Sequence, residues 1–148
     1  MEIERKFLIN PKALPFSLSD YPSRHMEQGY LCREPVVRIR KDEEEYILTY
    51  KSKGLMVREE YNLPLNAEAY AQLREKIEGK LIQKTRYLIP EKEGLTIELD
   101  VFEGELAPLY LAEVEFPDEA AAGAYQPPAW FGEEVTHTSR YHNSQLSI

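Results

Sequence analysis

The chain holds a single cysteine, Cys32, so it can form neither an internal disulfide nor a cysteine metal cluster, and a reducing cytoplasm is the default setting. No stretch approaches the ~18 consecutive apolar residues of a membrane span. The opening residues, MEIERKFLI, are charged and lack the small-residue cleavage site of a secretory leader. Basic residues are in the minority, 18 Lys and Arg against 26 Asp and Glu, for a net charge of -8. That balance argues against a surface devoted to duplex nucleic acid or an anionic membrane. His25, His137 and His142 have no metal-ligand spacing. Phosphate-loop and dinucleotide fingerprints are absent, as are internal repeats and low-complexity tracts. A phosphate site here would be built by side chains, not by a helix N-terminus.

What is present is a chain of 148 residues, the size of a single domain with a real core, patterned mostly as strands. Strands are expected over residues 1–9, 26–33, 36–41, 46–51, 55–63, 81–90, 96–103 and 109–116, with a last short one near 139–141. Asn66 is a helix N-cap, and Ala67, Tyr70, Leu73 and Ile77 recur at helical spacing up to Gly79. Asp118 opens a short alanine-rich helix that Pro127 and Pro128 stop. The expectation is a mainly β fold with peripheral helices (α+β), its antiparallel sheet large enough to curl or close.

Charges recur at i and i+2 along these strands: Glu2/Glu4/Lys6, Arg38/Arg40, Lys51/Lys53, Arg58/Glu60, Lys84/Arg86, Glu98/Asp100 and Glu113/Glu115. Alternation puts each set on one face of its strand. For any one strand a solvated outer face is the simpler reading. Together the sets come in blocks of sign, two basic strands, then mixed, then two acidic, whereas a merely solvated sheet mixes its signs. With Arg140 counted in, basic candidates outnumber acidic ones on these faces, although the chain as a whole is acidic. Grouped carboxylates require a cation among them, oxygen ligands suit Mg²⁺ or Mn²⁺, and arginine forks with lysine charges suit phosphate oxygens. Metal plus cationic clamp is what phosphoryl transfer needs.

These motifs, in this order, resemble the CYTH domain, or triphosphate tunnel metalloenzyme, superfamily. The resemblance begins at Glu2-Ile3-Glu4-Arg5-Lys6 and continues through Arg38-Ile39-Arg40, Thr49-Tyr50-Lys51, Arg58-Glu59-Glu60-Tyr61, Lys84-Thr85-Arg86-Tyr87, Glu98-Leu99-Asp100 and Glu113-Val114-Glu115. It implies an eight-stranded antiparallel closed β-barrel with charges pointing in, and metal-dependent hydrolysis or cyclisation of triphosphates. Length, the Gln28-Gly29-Tyr30-Leu31 strand and the tail from Trp130 to Thr136 look most like the small bacterial inorganic triphosphatases. By that resemblance Glu2, Glu4 and Glu115 hold the metal. Lys6, Arg38, Arg40, Lys51, Lys84 and Arg86 clamp phosphates. Arg58, Glu60, Glu98, Asp100 and Glu113 line the tunnel or position water. Asn62 departs from the family, which commonly has an acidic residue there; Lys53 carries no family role and is counted with Arg58 among the substrate-binding cations, at the tunnel mouth.

The implied reaction is hydrolysis of inorganic triphosphate to pyrophosphate and phosphate. The alternatives are a class IV-type adenylate cyclase, an organic triphosphatase, or a non-enzymatic polyphosphate-binding module. Candidates for activating the water are a second metal, Glu60, Tyr30 and Lys51. Tyr30 shares the polar register of Gln28; an aromatic there is ordinarily half-buried packing, but a lysine-rich cavity would favour its phenolate as a proton acceptor. Cys32 reads as a small hydrophobe and Trp130 as a packing anchor. A small-molecule triphosphate is the expected partner, and the sequence leaves a homodimer open.

Overall fold

A computed structural model describes residues 3–53 and 59–148, with backbone alone for Asn143 and Ser144. Its elements are β1 Glu4–Ile9, β2 Ser23–Arg33, β3 Val36–Asp42, β4 Glu45–Lys51, β5 Glu60–Leu65, α1 Ala67–Arg74, β6 Glu78–Pro90, β7 Thr96–Phe102, β8 Tyr110–Glu115, α2 Glu119–Ala124, β9 Phe131–Glu134 and α3 Asn143–Leu146. The strands hydrogen-bond in the order β5-β4-β3-β2-β6-β7-β8-β1-β9. The mainly β expectation holds. The closed eight-stranded count does not: among the described residues there are nine strands, and no pairing joins β5 to β9. Among the described residues no helix is long and apolar enough to cross a membrane.

Contacts gather the chain into two units, Met1–Arg24 with Lys84–Thr138, and His25–Gln83 with Ser139–Ile148. In the first unit the apolar register of every strand turns to one side. Phe7 and Ile9 of β1, Ala112 and Val114 of β8, Ile97 and Leu99 of β7, and Ile89 of β6 are buried together with Phe116 and Tyr125. Cross-strand partners share a face, so the pairings Phe7–Ala112, Leu99–Ala112 and Tyr87–Leu99 align this layer. Trp130 packs edge-on against Phe16 and Phe131, the anchoring role expected of it. Asp118 caps α2 by accepting from the Ala121 amide.

In the second unit β2 to β5 form antiparallel pairs. Asn66 caps α1, its side chain accepting from the Ala69 amide at 2.7 Å. The helix lies on the sheet side that bears Glu27 and Tyr46. Tyr70 stacks on Tyr46, and its hydroxyl donates to Glu27 at 2.8 Å. Arg74 pairs with the same carboxylate at 3.1 Å.

Three elements depart most from the sequence reading. α1 ends at Arg74 rather than Gly79, because β6 begins at Glu78 and the sheet takes the backbone groups a longer helix would use. The strand expected over 55–63 is β5, Glu60–Leu65; residues 54–58 lie outside the described ones. The short strand expected near 139–141 is a 3₁₀ turn, and Arg140 is exposed there against Tyr141, on no strand face. The ninth strand is instead β9, whose Phe131-Gly132-Glu133-Glu134 has no alternation to reveal it.

Pairing and side-chain bonds hold β9 to β1. Arg5 Nε and Nη2 both donate to Glu134, at 2.9 and 2.8 Å, while Nη1 donates to the Ala122 and Tyr125 carbonyls. Hydrogen bonds from Arg5 bring the Glu134 carboxyl down to about 2, against the cost of its burial.

Gly79 has φ +73 and lies against the Ser147 carbonyl, where a Cβ would collide with the oxygen. Gly79→Ala is therefore expected to lose about 1–3 kcal/mol of stability through the strained φ alone, and more through the collision. Urea unfolding with an unchanged m-value is the check.

Candidate functional site

Two charged strand faces emerge, one in each unit. In the first unit the face opposite the apolar layer carries Glu4 and Lys6 of β1, Glu113 and Glu115 of β8, Glu98 and Asp100 of β7, and Lys84 and Arg86 of β6. The pairings Glu4–Glu115, Lys6–Glu113, Glu98–Glu113 and Arg86–Asp100 put them side by side, as the i/i+2 pattern required. The face is only partly solvated: Lys6, Lys84 and Asp100 are buried, Asp100 to 2% exposure.

Burial of these charges is matched by contacts. Asp100 accepts from Lys84 Nζ at 2.8 Å and from Arg86 Nε and Nη2 at 2.8 and 2.9 Å. Arg86 Nη1 donates to Glu98 at 2.6 Å. Lys6 lies 3.2 Å from Glu113. Burial alone would push the Asp100 carboxyl up, yet the Arg86 hydrogen bonds and the neighbouring Lys84 and Arg86 charges hold it below its ordinary value. Lys84 and Arg86, expected as phosphate clamps, are thus held in place by carboxylates, and Arg86 keeps undonated N–H groups on Nη1 and Nη2.

Glu4 and Glu115 are exposed and directly opposite one another across β1 and β8. Like charges at opposed positions destabilise a strand pair, and a divalent cation with oxygen preference relieves that repulsion. The donor set therefore suits the expected metal. Glu2, the third expected ligand, lies outside the described residues, and no cluster of three acidic, histidine or cysteine ligands occurs among the described ones.

The second face belongs to β2–β5, on the sheet side away from α1. Its rows are Gln28–Arg40–Ile47–Pro64, Tyr30–Arg38–Thr49–Asn62 and Arg33–Val36–Lys51–Glu60. Thr49 donates to Asn62 Oδ1 at 2.7 Å, Asn62 Nδ2 donates to Glu60 at 3.2 Å, and Lys51 lies 3.4 Å from Glu60. The amide of Asn62, hydrogen-bonded to Glu60, and then the charge of Lys51 hold the exposed Glu60 carboxyl below its ordinary value, which makes it a weaker proton acceptor. Arg38 Nε and Gln28 Nε2 are buried and have no hydrogen-bond partner among the described residues. A buried donor left unbonded is costly, so an acceptor placed beside these two groups would be stabilising.

Lys53 lies past the end of β4, exposed and 3.9 Å from Glu34, so it shares no strand face with Lys51. Arg58 lies outside the described residues. Arg33 is the residue that strict alternation misassigns. As an odd-numbered position it belongs with Gly29 on the helix side, but a register shift between Tyr30 and Cys32 returns it to the Tyr30 face. No turn residue marks that bulge.

A sequence model of the CYTH domain matches residues 1–147. An inorganic triphosphatase of Nitrosomonas europaea is 41% identical over 99% of this chain and 97% of its own length. Another, from Acetivibrio thermocellus, is 38% identical over 98% of this chain and 92% of its length. A crystal structure of an inorganic triphosphatase superposes with a TM-score of 0.84 at 40% identity, covering 99% of this chain and 94% of that one.

Asp100 ties two cations, so Asp100→Asn is expected to cost about 3–5 kcal/mol. Because its folded value is depressed, the ionised carboxylate contributes stability above about pH 4, and that contribution is lost as pH falls through the folded value. Acid titration of unfolding should show this loss in the parent chain and not in Asp100→Asn.

Proposed function

This chain belongs to the CYTH domain family, and on that premise we propose that it hydrolyses inorganic triphosphate to pyrophosphate and phosphate with Mg²⁺ or Mn²⁺. The observation that carries the reading is the β2–β5 face, where the buried Arg38 Nε and Gln28 Nε2 donors lack acceptors beside Arg40 and Lys51. Triphosphate is a compact chain of acceptors that can use every such group. A nucleoside would leave its base to be held by residues the sequence does not supply. The near-full-length likeness to two inorganic triphosphatases supports the same choice.

Glu4 and Glu115, together with Glu2, are the carboxylates that would hold the divalent ion. When bound, the ion supplies Lewis-acid polarisation of phosphoryl oxygens. Lys6, Arg38, Arg40, Lys51, Arg58, Lys84 and Arg86 bind the phosphates and absorb charge as the bridging bond breaks. Glu98, Asp100 and Glu113 keep the cations of their own face oriented. Lys53 serves at most the entrance. With Glu60 weakened as a base, Tyr30 becomes the group whose hydroxyl orients the attacking water, and Lys51 stands one row away from it. In a loose phosphoryl transition state, alignment of that water matters more than its full deprotonation. A cytoplasmic setting accords with the lone cysteine.

Two measurements test this. The kcat/KM for inorganic triphosphate should exceed that for pyrophosphate, ATP and thiamine triphosphate. An organic substrate preferred by more than about tenfold, or 1.4 kcal/mol, would replace the inorganic assignment. Glu4→Gln and Glu115→Gln should each lower kcat/KM about 100-fold at fixed metal, with thermal unfolding nearly unchanged. Undiminished turnover in excess chelator would sink the metal mechanism.

A further inference from the structure

We propose that Arg33 is a positioning residue for Tyr30 and that Ser147 holds it in place, so that the 139–148 segment sets the orientation of the tyrosine hydroxyl. The inference deepens the triphosphatase reading and rests on it. The β2 bulge places Arg33 on the Tyr30 face, and its guanidinium carbon sits 4.8 Å from the centroid of the Tyr30 ring. A planar guanidinium over an aromatic ring is attracted by the ring face and restricts how the ring can tilt.

The guanidinium is itself fixed. Its Nη2 donates to Ser147 Oγ at 2.9 Å and to the Ser147 carbonyl at 3.3 Å. Ser147 is fully buried, and its carbonyl also accepts the Lys80 amide of β6. The absence of a side chain at Gly79 is what lets that carbonyl come so close. Tyr30, 6% exposed and opposite Arg38, is thereby tied through one cation to a buried serine outside the sheet. A side chain that must align a water tolerates little displacement, since errors near 1 Å cost orders of magnitude in rate. Arg33 has a use here that phosphate binding does not require.

The test is a double-mutant cycle in the full chain. Arg33→Lys, Arg33→Met and Ser147→Ala are made with Tyr30 and again with Tyr30→Phe. The readouts are kcat and KM for inorganic triphosphate at saturating Mg²⁺, and calorimetric affinity for triphosphate in chelator. Both Arg33 variants should lower kcat about tenfold, since lysine lacks the fork, and Ser147→Ala should lower it less. Affinity should change less than twofold. With Tyr30→Phe the Arg33 effect should vanish, because coupled residues are not additive.

Affinity falling in step with kcat/KM would make Arg33 a phosphate ligand and overturn the proposal. So would a kcat loss that persists with Tyr30→Phe, or no kcat loss at all. A parent chain that turns over no triphosphate, or a Tyr30→Phe variant with full activity, strikes the catalytic premise instead. Ring ¹³C shifts of labelled Tyr30 then decide Arg33's role separately: shifts unmoved by Arg33→Met and Ser147→Ala overturn it. Should Arg33→Met fail to fold, Arg33→Lys and Ser147→Ala carry the same comparison.

Discussion

Two cations, Lys84 and Arg86, converge on the Asp100 carboxylate, which is almost wholly withdrawn from water. Removing a charge from water costs several kcal/mol unless it is paired at good geometry. The three-way contact meets that condition, and the Lys6–Glu113 pair meets it one row away. Because these charges are satisfied, the β6–β7–β8–β1 strands can bury Lys6, Lys84 and Asp100 on one face as well as the apolar layer on the other. Without the pairing, a sheet of this composition would leave its charged side in solvent, as antiparallel sheets ordinarily do. Everything else asked of the carboxylate face depends on this settlement, including the opposed Glu4 and Glu115.

The β2–β5 face is settled differently. Its polar groups are joined at one edge, where Thr49, Asn62, Glu60 and Lys51 bond in series. Toward the other edge, Gln28 Nε2 and Arg38 Nε have no acceptor among the described residues. The two faces thus differ in kind: the buried charges of one are paired with carboxylates of the same face, and the other has buried donors that are not. The Asn62 amide belongs to this difference. Where a carboxylate would add charge beside Lys51, the amide both accepts and donates, and it lowers the Glu60 carboxyl in doing so.

Segments with little pattern of their own fasten the patterned ones. β9 has one apolar residue along its length, Phe131, yet it flanks β1 through the Arg5–Glu134 fork and so braces the strand that carries Glu4 and Lys6. Ser147, in a polar tail, is buried against Arg33 and Lys80. Neither contact leaves a trace in periodicity, because a single long-range hydrogen-bonding partner has no period. The same holds for Arg33. Alternation placed Gln28 with Tyr30, Arg38 with Arg40 and Glu98 with Asp100, each pair on one face of its own strand, and the pairing register keeps them so. It failed two residues later, where one inserted residue in β2 reversed the register. It also carried α1 too far, since Ile77 fits the helical spacing although β6 begins at Glu78.

What the sequence by itself determined is therefore what a two-residue period can carry. That comprises most strands, the face each charge occupies along an uninterrupted strand, and the ordered motifs that mark the family. Strand sterics alone enforce that period, so it is legible before folding. The tertiary structure decided the number of strands and the open order of the sheet. It decided which carboxylate each buried cation meets and which donors remain without one. It also decided that Arg33, rather than Lys53 or Arg140, joins the Tyr30 face. Those outcomes are set by which distant backbones approach one another. The energies concerned, pairing and desolvation of charge, take their values only once water has been displaced from between the partners.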